Sequence, residues 1–121
     1  MSAKLLSHVL ESSAKLQGPA VRVYVDRLRK SNPGATPALL ADLVKLGHGL
    51  LYLSRGQPVV YYGDEQGMIG RGGNDMQARE DMFAAQAPAF RDAPLLGTTR
   101  TGADDKFDPQ HPFYRLFSRL T

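Results

Sequence analysis

The sequence contains no cysteine. That absence excludes disulfides, thiolate metal sites and a cysteine nucleophile, and leaves the compartment open. Long apolar runs are missing too: none approaches the roughly 18 residues that a membrane-spanning helix requires. In the first eighteen residues, "MSAKLLSHVLESSAKLQG", serines and Glu11 interrupt the apolar core that a signal peptide would need. The expectation is a soluble, cytoplasmic protein. What remains is ordinary globular composition, 42% hydrophobic and 22% charged over 121 residues, enough for one core and too little for two.

Charge is unevenly placed within a net of +3. Residues 1–30 hold six basic groups (Lys4, Lys15, Arg22, Arg27, Arg29, Lys30) against Glu11 and Asp26, a net of +4, so the remainder carries −1. Such asymmetry marks a seam between segments with different partners or origins. In residues 1–34 the apolar positions Leu5, Leu6, Val9, Leu10 and Leu16, then Val21, Tyr24, Val25 and Leu28, predict two helices, a basic hairpin ending in the turn-rich "SNPGATP".

Thr36 before Pro37 is an N-cap followed by a first-turn proline, and predicts a helix over 37–55 stopped by Gly56. Gly47 and Gly49 inside it each cost about 1 kcal/mol against alanine and imply close packing at those points. "PVVYY" has no polar alternation, so a strand over 57–62 would be buried on both faces, as in a parallel sheet covered by helices. Leaving Val59, Val60, Tyr61 and Tyr62 exposed would forfeit about 6–12 kcal/mol, comparable to the whole stability of a domain. Residues 63–109 read as a long glycine-rich loop with a short helix at "MQAREDMFAAQ". A last helix over 112–120 places Phe113, Leu116, Phe117 and Leu120 on one face. The fold class expected is therefore α/β and mainly helical, with 35–121 as one helix–strand–helix unit of an α/β barrel.

Those residues carry a resemblance. "LGHGLLYLSRGQPVVYYGDEQGMIGRGGNDMQAREDMFAAQ" resembles the α-amylase family of retaining (β/α)8-barrel glycoside hydrolases. The family pattern Gly-x-Pro-x-x-Tyr-Tyr-Gly-x-Glu, which marks the eighth barrel strand, is met by Gly56, Pro58, Tyr61, Tyr62, Gly63 and Glu65. "AREDMF" resembles the substrate-side loop, and "HPFYRLFSRL" the start of the eighth helix, so the likeness covers about residues 38–121. It implies carbohydrate as the partner of an intact parent, with Tyr62, Gly63, Asp64, Glu65, Arg79 and Asp81 on the sugar side, and no cofactor. The family's aspartate nucleophile, glutamate acid/base and Asn-His-Asp motif have no counterparts here: the three histidines are His8, His48 and His111, none in that context. Residues 1–37 fall outside the resemblance. Their "GPAVRVYVDRLRKSNPGATP" bears a short likeness to the N-terminal helices of EcsC-type membrane-associated proteins, too short to carry function.

Asp64 and Glu65 invite the reading of a catalytic pair. Adjacent residues at a strand end point to opposite sides, whereas retaining hydrolysis needs two carboxylates about 5–5.5 Å apart across one bond. No catalytic residue is therefore assigned. "GMIGRGG" lacks the Lys-Ser/Thr ending of a phosphate-binding loop. Asp104, Asp105 and Asp108 lack EF-hand spacing and read as a turn, and His48 has no acidic or histidine partner at i±4, so no metal site is expected. Arg22, Arg27, Arg29 and Lys30 could contact a polyanion, though four charges on a short helix are usually its wet face. Nucleic acid and anionic membrane are disfavoured, and self-association through 57–62 is one way to cover that segment. The leading expectation is a truncated or chimeric piece of an α-amylase-family hydrolase without activity alone. The alternative is an interaction module that binds a protein or polyanion through its basic helices.

Overall fold

The computed structural model describes residues 29–70 and 76–121. The expected N-terminal hairpin, with Arg22 and Arg27, lies almost wholly outside them. Arg29 and Lys30 are exposed on a short helical end, 29–31. No helix among the described residues is long and apolar enough to cross a membrane.

Helix α1, Pro37–Leu53, begins where its sequence signal places it. The Thr36 hydroxyl accepts from the Leu39 amide at 3.2 Å, and the Thr36 carbonyl accepts from Leu40. That cap satisfies amides that have no partner inside the helix. The helix closes two residues before the expected end, with the Ser54 amide donating to Leu50 O at 2.9 Å, and the chain turns at Gly56, φ 119°. Nothing packs within 4 Å of a side chain placed at Gly47 or Gly49, so the close approach expected there is absent among the described residues.

Helix α3, Pro112–Leu120, has the expected bounds. Phe113 and Phe117 face inward and join Leu40, Ala41, Leu43 and Val44 of α1, with Ile69 and Leu96, in one core. The described chain is mainly helical. Its β structure is confined to two isolated antiparallel bridges, Met68 with Leu95 and Pro94 with Thr101.

The segment 57–62 forms no strand. A strand exists only as part of a ladder, and no described residue supplies a second edge. Val60 still packs against the core from its rim, whereas Val59 and Tyr62 remain exposed.

The described parts of 63–109, residues 63–70 and 76–109, carry more structure than a connecting loop. The Leu96 amide donates to Gly67 O, Gly102 to Ala93 O, Ala85 to Gly102 O and Lys106 to Met82 O, all between 2.7 and 2.8 Å. Met68, Ile69, Ala85, Ala93, Leu95 and Leu96 are buried as a result. The helix expected at 76–86 shrinks to a 3-10 turn, Met76–Ala78; a second short helix, α2, forms instead at Pro88–Arg91. The cause is the same: backbone groups of 82–85 are committed to distant partners and cannot also close helical rings.

Candidate functional site at the Gly63–Gly67 turn

The acidic stretch that follows the tyrosines is a 3-10 turn, Asp64–Gln66, between two glycines with positive φ, Gly63 at 86° and Gly67 at 70°. Glycine adopts that backbone without the Cβ clash other residues meet. At Gly67 a Cβ would also collide with the backbone of Leu96. The turn is thereby pinned under the core, and the two carboxylates take opposite roles.

Asp64 points inward and is 4% exposed. Its Oδ2 lies 3.7 Å from Nε2 of His48, an equally buried ring on α1. Because the Val44 carbonyl can only accept, His48 donates Nδ1–H to it at 2.9 Å, which leaves Nε2 toward the carboxylate. The histidine ring also stacks on Phe117, centroids 4.6 Å apart. His48 thus has the acidic partner that its own helix does not provide. The pair lies where α1, the turn and α3 meet.

Glu65 turns back on its own loop, Oε2 accepting from the Gly63 amide at 2.8 Å. It also disfavours the anionic form of Tyr52, whose phenol is raised above its usual value by burial first and by this carboxylate second. Gln66 makes a reciprocal pair with the backbone of Asp108, donating to its carbonyl and accepting from its amide, both at 3.0 Å. Beside the turn lies a cleft of about 270 Å³ lined by Glu65, Gln66, Met82, Lys106, Asp108 and Tyr114, among others.

The expected sugar-side residues divide into two groups. Tyr62, Gly63, Asp64 and Glu65 share this turn, with the Tyr62 ring 4.6 Å from Tyr61 and open to solvent. Arg79 and Asp81 are exposed on the segment after the Met76–Ala78 turn. Between them stands a residue of greater structural consequence: Glu80 is 2% exposed and accepts from the Gly70 amide at 2.7 Å, joining the two groups. Among the described residues no group of three or more histidine, aspartate or glutamate side chains is arranged to hold a metal.

What this arrangement does chemically is hold a loop. Asp64 is buried, and one oxygen of Glu65 is held by the Gly63 amide at the edge of the cleft that Asp108 also lines. Comparison with known proteins gives the turn its context. The chain is 45% identical over 93 residues to an alpha-amylase of Streptomyces lividans, a match that takes in 77% of this chain. It spans only 10% of that relative's length. No family model matches the chain, and no solved structure matches it significantly.

Proposed function

We propose that this chain is a piece of an α-amylase-type glycoside hydrolase, the last helix–strand–helix unit of its barrel, and that it cleaves no glycoside by itself. The observation that carries the reading is the 45% identity over 93 residues, which includes most of this chain and a tenth of the relative. The geometry of the turn agrees. Retaining hydrolysis requires two carboxylates placed about 5–5.5 Å apart across the scissile bond. Here Asp64 is buried against His48 and Glu65 caps its own turn. In an intact parent the same turn would shape the sugar-side rim through Tyr62, Gly63 and Glu65, with Arg79 and Asp81 on a second loop. Residues 57–62 would find ladder partners in the other strands.

The test is hydrolysis of a chromogenic α-maltooligosaccharide by the purified chain. The expected result is no release above buffer at any enzyme concentration. Sustained turnover that disappears in Asp64→Asn or Glu65→Gln would overturn the reading.

A further inference from the structure

The aspartates at 104, 105 and 108 carry the composition of a calcium loop without its spacing. In their midst sits Lys106, whose side chain is 0% exposed. Lysine is almost never fully buried unless its charge is met. Its Nζ donates to three carbonyl oxygens, Phe83 at 2.8 Å, Gly102 at 3.1 Å and Asp104 at 3.1 Å. An ammonium has three donors, and all three are used. Among the described residues no carboxylate bonds it directly; Glu80, Asp81, Asp104 and Asp105 act on it at longer range and favour its charge. Burial acts against that charge and outweighs them, holding the amine below its ordinary value.

Carbonyl oxygens converging on a positive charge, with carboxylates nearby, are the ligand chemistry of a hard cation. The cage is rigid as well. The Lys106 amide is bonded to Met82 O at 2.7 Å and the Ala85 amide to Gly102 O at 2.8 Å, so the walls are fastened to each other. The carboxylates keep the loop in shape: Asp104 Oδ2 accepts from the Thr101 amide at 2.9 Å, and Asp105 pairs with Arg100 at 3.1 Å.

We propose that the segments 82–85 and 102–106 form a hard-cation site whose resident cation is the ammonium of Lys106, tethered to the chain. The aspartate-rich loop is therefore ordered without a metal. Removing the side chain leaves the carbonyl oxygens and the surrounding negative charge in place, and that vacated site takes a free hard cation such as calcium.

Thermal unfolding and terbium luminescence test this on the whole chain. The unaltered protein melts at the same temperature with and without a chelator. Lys106→Ala melts lower by about 10 °C, regains part of the loss in calcium, and gives saturable terbium emission that calcium displaces. Lys106→Met, which fills the space with methylenes and no charge, is destabilised without gaining terbium binding. Terbium or calcium binding by Lys106→Ala no tighter than that of the unaltered protein overturns the proposal. A measurement that needs no variant guards against failure of Lys106→Ala to fold: nitrogen-15 spectra of the unaltered protein in the cold. One lysine ammonium signal protected from exchange is expected, and loss of that signal on Lys106→Met assigns it. The absence of any protected ammonium contradicts the cage.

Discussion

His111 shows how one side chain sets both a helix boundary and a pH dependence. It is 1% exposed, and its Nδ1 accepts from the Phe113 amide at 3.1 Å, capping α3. Only a ring with Nδ1 unprotonated can do this. Burial, the largest influence, pushes the imidazole below its ordinary 6.5, against the pull of the Asp108 carboxylate and the Leu96 carbonyl. Between that lowered value and about 6.5 the unfolded chain binds a proton that the folded chain does not. Stability therefore rises with pH through this window, is fully present above it, and is lost as pH falls through the folded value. Urea midpoints measured on both sides of the window should be higher on the neutral side. His111→Asn, which keeps a capping oxygen, should flatten that dependence; an unchanged slope would show that another group sets it. Neither His111 nor Lys106 was legible in the sequence. Histidine is not among the preferred N-caps, and a lysine between aspartates reads as solvent-facing until the carbonyls that enclose it are placed. His48 and Asp64 meet only because α1 and the turn pack together, and no local spacing reports that.

At the scale of elements, legibility followed local chemistry. Thr36–Pro37 marked the start of α1, and the spacing of Phe113 and Phe117 marked the inner face of α3. Elements that depend on distant partners were read less well. The 57–62 segment has every compositional mark of a buried strand, yet a ladder needs a neighbour, and the described parts of 63–109 are joined by hydrogen bonds between far-apart residues. Helix α1 shares the difficulty of 57–62. It is apolar nearly all round, as helices packed on two sides are, but among the described residues its buried positions, Leu40, Ala41, Leu43, Val44, Gly47 and His48, lie toward one side. Leu46 and Leu53 on its outer face are 38% and 80% exposed, and Val59 beyond its end is 50% exposed. Such a surface predicts self-association of the isolated chain. Sedimentation velocity should show mass rising with concentration, and Leu53→Lys with Val59→Lys should shift the protein toward monomer. A monomer at all concentrations in the unaltered protein would remove the idea.

At the scale of the whole molecule, two observations converge. The sequence matches a tenth of a much longer alpha-amylase, and the fold completes one core while leaving α1 and 57–62 partly uncovered. A part fitted to a larger body has both properties, because its internal packing is finished and its mating surface is not. The Gly63–Gly67 turn fits the same account, since Glu65 closes on its own loop and Asp64 is buried beside His48. The most direct measurement is a segment exchange. The 93 matched residues of the Streptomyces lividans alpha-amylase are replaced by their counterparts from this chain, and starch hydrolysis is assayed on the purified product. The account predicts an active chimera, because the substituted unit would meet the same neighbours. A chimera that folds and binds starch but does not hydrolyse it, or that cannot fold at all, would contradict it.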